Sequence, residues 1–276
     1  MPYLDKRVYQ NTRLLVTFTI YIFGAILAND GQAQKIIKKA IPDKLVVLTF
    51  DDAPASQYSI AAPLLKKYGF NATFFVCEFP NFKDSTKYMT WYQIQQLGLM
   101  GFEIANHTQS HPGVSHLSKD QFLKELKYID DQCDSLKIGK TKTFAYPGYD
   151  LDAKTLVILQ EQNFLFARAG GDRAYDPKTD HPYLIPSWAM NSENKESIHT
   201  AILQAKDGKI VVLTIHGVPD IEHPWVTTTP EVLDEHLKFL YDNHYKVVSL
   251  KDLAQYMNIE NALSQIKPVF VKKKLN

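Results

Sequence analysis

The chain has 276 residues, of which 45% are hydrophobic and 22% are charged. This hydrophobic fraction is ample for a large core and is typical of a globular protein, which argues against intrinsic disorder. With 31 basic and 30 acidic residues the chain is close to neutral, so a nucleic acid is not the expected partner, because phosphate-binding surfaces usually carry an excess of lysine and arginine.

The chain contains two cysteines, Cys77 and Cys133. Two residues so far apart are too few for a cysteine-based zinc site or for a disulfide framework. A single disulfide in an oxidising compartment is one interpretation, and two unrelated thiols in the core are the preferred one.

The N-terminus has the pattern of a secretory signal. Three basic residues precede an apolar run, residues 14–28, and small and polar residues follow it up to Ala33. This order predicts a signal peptide over residues 1–33 and an exported protein that is periplasmic, attached to the cell surface or secreted. The alternative is a retained signal anchor, but a spanning helix usually needs ~20 apolar residues, so no stable membrane span is expected after cleavage.

From residue 44 onward the sequence alternates between strand-like and helix-like segments. The predicted strands are residues 45–50, 71–76, 102–106, 142–146, 164–168, 183–188, 209–215 and 245–249, from their short apolar and β-branched runs. The predicted helices are residues 57–68, 90–100, 118–136, 152–162, 197–205, a helix that begins at residue 229, and residues 250–257. Thr90 and Ser118 are the expected N-caps of the second and third helices.

Repeated strand–helix units predict an α/β fold with a parallel sheet. Seven to eight mainly parallel strands suit a distorted or incomplete (β/α) barrel, and an open, doubly wound sheet is the alternative. No linker or internal repeat divides residues 34–276, which are therefore predicted to form a single domain. In both architectures functional side chains lie at the carboxyl ends of the strands.

Two adjacent carboxylates, Asp51 and Asp52, follow the first predicted strand directly. An unpaired buried carboxylate is costly, so the pair should emerge at the end of the strand. A simple acidic turn explains such a pair when it is taken alone. Because adjacent side chains of a strand point to opposite faces, both carboxylates can serve one site only if the chain turns at this point.

A histidine pair, His107 and His111, follows the third predicted strand, and Pro112 comes next. The spacing lets two imidazoles meet one cation, although two surface histidines explain the pair alone equally well. An aspartate with two histidines, and water at the remaining positions, would form a catalytic metal site and not a structural one. His216 ends another apolar strand, residues 209–215, in a similar way.

Four segments, in this order, resemble the motifs of the polysaccharide deacetylase family, which is also called carbohydrate esterase family 4 or the NodB homology domain. They are TFDD at residues 49–52, HTQSH at 107–111, FAYPG at 144–148 and LTIH at 213–216. The first two motifs together are highly specific, and the resemblance extends from about residue 44 to residue 256.

The resemblance implies a hydrolase that removes N-acetyl groups from a polysaccharide or oligosaccharide with the help of one divalent metal ion. The implied metal ligands are Asp52, His107 and His111, with Zn²⁺ as the expected ion and Co²⁺, Ni²⁺ or Mn²⁺ as alternatives. Asp51 corresponds to the general base and His216 to the general acid. The expected partner is the acetylated glycan substrate, and no protein partner is predicted.

Four further residues are expected to contact the substrate or its oxyanion: Tyr146, Pro147, Gly148 and Trp188. The family's third motif commonly has an arginine that orients the base, whereas this chain has Ala145. Arg168, at the end of the fifth predicted strand, could replace that arginine, and a surface salt bridge is an equally good interpretation of it. Trp225 is interpreted as packing under its loop, with stacking on a sugar as the lesser alternative.

These departures keep other functions open. The alternatives are an esterase that removes O-acetyl groups, for example from xylan, a metal-dependent hydrolase of a non-sugar amide, and a carbohydrate-binding relative without catalysis. The presence of both Asp51 and His216 argues against the last alternative, because a protein that only binds glycans would not need both.

Overall fold

The sheet is built from eight strands within residues 36–270, the range that the computed structural model describes. Every pairing between these strands is parallel. In chain order they are β1 (Leu45–Phe50), β2 (Thr73–Val76), β3 (Glu103–Asn106), β4 (Thr143–Ala145), β5 (Phe166–Arg168), β6 (Trp188–Ala189), β7 (Val211–Ile215) and β8 (Lys246–Val248). The predicted signal segment, residues 1–33, lies outside the described residues, so the segment and the start of a domain at residue 34 stay predictions.

The sheet curls into a barrel whose last gap is bridged by irregular chain. The strand order is β5-β4-β3-β2-β1-β7-β6, and β8 pairs with the first half of β1. Between β5 and β6 the chain makes a parallel bridge from Ile185 to Arg168, and the Ile185 N–H donates to the Ala167 carbonyl. The segment before β6 therefore contacts β5 while β6 itself pairs with β7. This arrangement confirms the predicted distorted (β/α) barrel.

Seven α-helices surround the barrel in the described part of the chain: α1 (Ala62–Lys67), α2 (Trp91–Leu99), α3 (Lys119–Ser135), α4 (Ala153–Glu161), α5 (Lys195–Ile202), α6 (Pro230–Asp242) and α7 (Ile259–Gln265). A π-helical turn, Gln57–Ala61, leads into α1. The predicted N-caps are confirmed, since the side chains of Thr90 and Ser118 each accept a hydrogen bond from a backbone N–H in the first turn. Over residues 36–270 no helix combines the length and apolar character that crossing a bilayer requires.

The structure corrects two predicted elements. The predicted sixth strand, residues 183–188, is displaced to Trp188–Ala189, because Pro186 has no N–H to donate to a neighbouring strand. The predicted last helix, residues 250–257, is a 3₁₀ helix, Lys251–Gln255. The helix α7 then begins beyond it, where the Asn258 side chain accepts from the Asn261 N–H.

Alternation along the strands divides the core into two layers. Every second residue, such as Val47, Phe75 and Val212, packs inside the barrel. The residues between them, such as Leu48 and Phe74, pack outward against the helices. A side chain two positions beyond an interior residue is therefore expected to emerge inside the open end of the barrel.

The amino-terminal end of the barrel is closed by a polar cluster around Glu103. Its buried carboxylate accepts hydrogen bonds from the hydroxyls of Thr73, at 2.7 Å, and Thr143, at 2.8 Å, and from the Lys251 N–H, at 2.9 Å. Burial raises the pKa of Glu103, although these hydrogen bonds oppose the shift. The cluster links β2, β3 and β4 at one end of the barrel and leaves the carboxyl ends of the strands to form the other.

Candidate active site

The turn that the two carboxylates require lies at Asp52 itself. Asp51 continues the ladder of β1, since its N–H donates to the Ile215 carbonyl at 2.9 Å, and its position in the alternation directs it into the barrel. Asp52 and Ala53 then adopt positive φ angles of 72° and 56°, a conformation that aspartate tolerates better than most residues. As a result both carboxylates face the same imidazole. The Nε2 atom of His107 lies 3.9 Å from Asp51 Oδ2 and 3.4 Å from Asp52 Oδ1.

The histidine pair lies on a loop and not on a helical turn. The His107 N–H continues the ladder by donating to the Val76 carbonyl, and its ring Nδ1 lies 2.8 Å from the Ala145 carbonyl. This contact directs the other ring nitrogen toward Asp52, an arrangement that is common for metal-binding histidines. His111 has a φ of 55°, and its Nε2 also lies 3.4 Å from Asp52 Oδ1.

These three side chains fit a divalent cation. Asp52, His107 and His111 each offer one ligand atom, and the three atoms lie within 4.8 Å of one another. Two imidazoles and one carboxylate are a donor set that catalytic zinc sites use. Burial, together with the charge of His107, lowers the pKa of His111 to about 4, so its imidazole is neutral and available to a metal at neutral pH. Burial acts to raise the pKa of Asp52, but hydrogen bonding with His107 and the charges of the three nearby histidines outweigh it and hold that pKa well below its usual range.

His216 approaches the same carboxylate from β7. Its Nε2 lies 3.7 Å from Asp52 Oδ2. The buried Gln57 side chain donates to the backbone carbonyl of Asp51 at 2.5 Å and to that of His216 at 3.2 Å. This amide therefore ties the ends of β1 and β7 together and fixes the separation of the two side chains.

Arg168 is fully buried and donates from a guanidinium nitrogen to Asp51 Oδ2. Its guanidinium lies 5.4 Å from the ring centres of both Phe75 and Tyr149, so the cation is held between two aromatic faces. It is therefore not a surface salt bridge. Ala145 is the register partner of Arg168 on β4, and its small side chain leaves room for the arginine inside the barrel.

The residues predicted to contact substrate are not all near this cluster. Tyr146 is buried in the outer layer, where its hydroxyl donates to the Tyr183 carbonyl at 3.1 Å. Trp188 is also buried in the outer layer, and both side chains face away from the barrel interior. They pack the core, contrary to the predicted contact with substrate. Pro147 is buried, whereas Gly148 lies exposed beside it with a φ of 56°.

Four residues of the site were not identified from the sequence. Phe75 and Tyr149 enclose Arg168, and Gln57 connects two strand ends. Cys77 is buried, with its sulfur 3.8 Å from Asp52 Oδ1, and burial raises the pKa of this thiol well above its usual value. Phe75 and Cys77 could have been identified from the alternation along β2, but no local signal marks Gln57. Both cysteines are free and buried, which confirms the interpretation as separate core thiols.

A family model described as polysaccharide deacetylase matches residues 38–167. Residues 38–167 therefore belong to the polysaccharide deacetylase family. The chain is 27% identical to a bifunctional xylanase/deacetylase of Pseudobutyrivibrio xylanivorans over 188 residues. This alignment covers 64% of this chain and 27% of the relative. It is also 25% identical to the peptidoglycan-N-acetylmuramic acid deacetylase PdaC of Bacillus subtilis over 219 residues. This second alignment covers 77% of this chain and 39% of the relative.

The likeness to solved family structures concerns the fold. The Xyl-CE4 domain of a multidomain xylanase, from the hindgut metagenome of Trinervitermes trinervoides, matches with a TM-score of 0.56 and 23% identity, over 78% of this chain and 91% of that domain. The chain spans 27% to 43% of the lengths of the first curated relatives that it matches.

Proposed function

We propose that this polysaccharide deacetylase family member is a metal-dependent hydrolase that removes N-acetyl groups from a polysaccharide or oligosaccharide. The observation that carries the proposal is the convergence of two carboxylates and three histidines at one end of the barrel, with Asp51 paired to a buried arginine. A purely structural cluster would not need five such groups within contact distance, because burying them costs free energy.

The proposed metal ligands are Asp52, His107 and His111. A divalent cation bound by them would lower the pKa of a bound water and polarise the acetyl carbonyl. Zn²⁺ is the proposed ion because the donor set is two imidazoles and one carboxylate, and Co²⁺, Ni²⁺ and Mn²⁺ are the alternatives. The contact between His107 Nδ1 and the Ala145 carbonyl keeps the other ring nitrogen directed at the ligand cluster.

Asp51 is the proposed general base. Its carboxylate lies inside the barrel beside the ligand cluster, 3.9 Å from the nearest imidazole nitrogen. Arg168 holds one oxygen of this carboxylate, and the two aromatic rings restrict the guanidinium in turn. Arg168 is therefore the proposed positioning residue for Asp51, and it would leave the second oxygen to accept the proton of the attacking water.

His216 is the proposed general acid, because it faces the cluster from the end of β7, the strand that pairs with β1, and an imidazolium can protonate a departing amine near neutral pH. The backbone N–H of Gly148 is the proposed donor to the oxyanion. Gly148 is exposed and precedes Tyr149, whose ring covers Arg168, and this neighbourhood supports its assignment. Pro147, which precedes it, would hold the loop.

The proposed substrate is an acetylated glycan outside the cytoplasm. One relative is named for deacetylation of peptidoglycan and another as a xylanase/deacetylase, so both amide and ester substrates deserve direct comparison. An exported protein would agree with the predicted signal over residues 1–33. O-acetyl ester removal, a non-sugar amide substrate and glycan binding without turnover remain the alternatives.

A substrate screen tests the proposal. Acetate release is measured for N-acetylglucosamine oligosaccharides, acetyl-xylan and a small cyclic amide, each with added Zn²⁺, Co²⁺, Ni²⁺ or Mn²⁺. We expect release from the N-acetylated oligosaccharides and little from the cyclic amide. Release from acetyl-xylan alone would favour the esterase instead. A protein that binds these glycans but releases acetate from none of them, with any of the four metals, would refute the enzymatic proposal.

A further inference from the structure

Two large apolar side chains are exposed on the loop that follows His216, residues 217–228. The side chain of Trp225 is 70% exposed and that of Ile221 is 74% exposed, so the interpretation of Trp225 as packing under the loop is wrong. Exposed apolar side chains that lie next to a functional site are a frequent sign of ligand contact.

The loop is well fixed, so this exposure is not the result of a loosely held segment. The buried carboxylate of Asp220 accepts from the N–H groups of Gly217, at 3.1 Å, and His223, at 2.8 Å. The Asp220 N–H donates to the Thr227 hydroxyl at 2.8 Å, and the Thr228 N–H closes the loop by donating to the Gly217 carbonyl at 3.2 Å.

Two further contacts fasten the loop to the chain that surrounds the site. The Ser56 hydroxyl accepts from the Val218 N–H and donates to the Pro219 carbonyl, both at 2.8 Å. Glu222 pairs with Lys87 at 3.0 Å. The indole is therefore presented on a rigid support, and ordering it on a ligand would cost little conformational entropy.

A row of ring contacts connects this indole with the candidate metal site. The ring of Trp225 lies 5.4 Å from that of His223, and the ring of His223 lies 5.2 Å from that of Phe79. Phe79 in turn lies 5.0 Å from the ring of His111. The exposed indole is thus separated from a candidate metal ligand by two intervening rings, and a substrate that extends from the site in this direction would meet it.

The chemistry of the surface fits a sugar ring. An indole face covers the apolar C–H face of a pyranose, and the charges of Lys87 and Glu222 in the support are paired with each other. The surface consists of two large apolar side chains. Its area is small compared with a stable interface between protein chains, where about 800 Å² is buried on each partner. One sugar unit of a neutral glycan matches this size better.

We propose that Trp225 forms a sugar-binding subsite that holds a pyranose ring adjacent to the residue being deacetylated. This inference rests on the proposed function, because it places a second sugar of the same substrate. It assigns the preferred substrate class to glycans of at least two linked sugars, since a monosaccharide at the reacting position would not reach the indole. Trp225 is a specificity-determining residue in this arrangement and takes no part in the chemistry.

Two measurements on the full chain test the subsite. Binding of the N-acetylglucosamine pentasaccharide is followed by calorimetry, and acetate release is followed for that ligand and for p-nitrophenyl acetate. For Trp225→Ala we expect pentasaccharide affinity to fall about tenfold, with a matching rise in KM, an unchanged kcat and no change on the small ester. Trp225→Tyr should retain most of the affinity. The control is Tyr241→Ala, which removes a 56% exposed aromatic ring near the end of α6 and should alter neither measurement.

The outcomes separate the subsite from the proposed function. If the pentasaccharide binds through Trp225 but no acetate is released, the subsite stands and the deacetylase proposal fails. If acetate is released with unchanged affinity and KM in Trp225→Ala, the subsite is refuted and the deacetylase proposal stands. A wild-type chain that does not bind the pentasaccharide, or that forms a dimer abolished by Trp225→Ala, would also overturn the subsite.

Discussion

Replacement of Arg168 by alanine would remove the main positive charge beside Asp51. Among the described residues, Asp51 is paired with this arginine and with one histidine, His107. We expect the variant to lose both stability and activity. The arginine is fully buried and the carboxylate nearly so, with side-chain exposures of 0% and 5%. The variant would therefore retain a buried carboxylate with its strongest partner removed.

The expected size of the effect follows from this burial. Removing one partner of a buried ion pair typically costs ~3–5 kcal/mol of unfolding free energy, which for a domain of this size lowers Tm by on the order of 10 °C. Loss of the carboxylate's orientation is expected to reduce kcat by ~10²-fold, as displacements of about 1 Å do in other sites. KM should change little, because Arg168 is not expected to touch the substrate.

Thermal unfolding and steady-state acetate release measure the two effects. The matched control is Arg173→Ala, which breaks an ion pair with Asp180 in which the arginine side chain is 47% exposed. Exposed pairs are worth ~0–1 kcal/mol, so the control should keep its Tm nearly unchanged and its full activity. Arg168→Lys, which keeps the charge, should recover more stability than activity, because lysine lacks the planar guanidinium that lies between the two rings.

A relocation variant tests the positioning role directly. Ala145 and Arg168 are register partners, and both face the barrel interior. Their strands are separated by ~4.8 Å, a distance that an arginine side chain can span. We therefore expect Ala145→Arg combined with Arg168→Ala to regain part of the lost kcat. Full activity in Arg168→Ala, with metal content and substrate unchanged, would refute the positioning role.

Three further outcomes are expected. Asp51→Asn should retain stoichiometric metal in elemental analysis while activity falls by ~10²–10⁴-fold, and an active variant would mean that the base is elsewhere. His107→Ala should abolish stoichiometric metal binding. The control is His199→Ala, which replaces an exposed histidine on α5 and should leave metal binding unchanged. Metal retained by His107→Ala would disprove the ligand assignment. Burial raises the pKa of Glu103 in the folded protein, so as pH rises the carboxyl loses its proton at a lower pH in the unfolded chain than in the folded one. The unfolding free energy of the wild type, compared with that of Glu103→Gln, should therefore fall as pH rises from about 4 through the raised pKa. A difference that is independent of pH in chemical denaturation would contradict this reasoning.

Much of the fold and of the metal site could be predicted from sequence because their signals are local. Apolar β-branched runs mark the strands, and the residue that follows each run marks its carboxyl end. Asp52, His107 and His216 could therefore be assigned to one end of a barrel without coordinates, and the structure brings these side chains together. The alternation along β3 and β7 is enough to direct both histidines inward.

The parts that could not be predicted depend on pairing between strands. Tyr146 lies in a motif whose neighbours reach the site, yet it falls on the outward-facing position of its strand end and packs beside Phe144. Trp188 is buried for the same reason. The exposure of Trp225 depends on a set of loop hydrogen bonds to Asp220, which have no signature in the order of residues.

Arg168 shows most clearly how strand pairing positions a residue of the candidate site. In the sequence it lies 23 residues beyond Ala145. From the sequence alone, a surface ion pair explains this arginine as well as a contact with Asp51 does. The register of β4 and β5 makes the two positions neighbours on the interior face of the barrel. We therefore expect a cation at either position to reach the same carboxylate, in which case the barrel fixes where the charge lies in space and not where it lies in the chain. In the same way, the positive φ of Asp52 brings two consecutive carboxylates to one cluster despite the alternation of the strand. Together, these two features reconcile the unusual third motif with the proposed set of reactive groups.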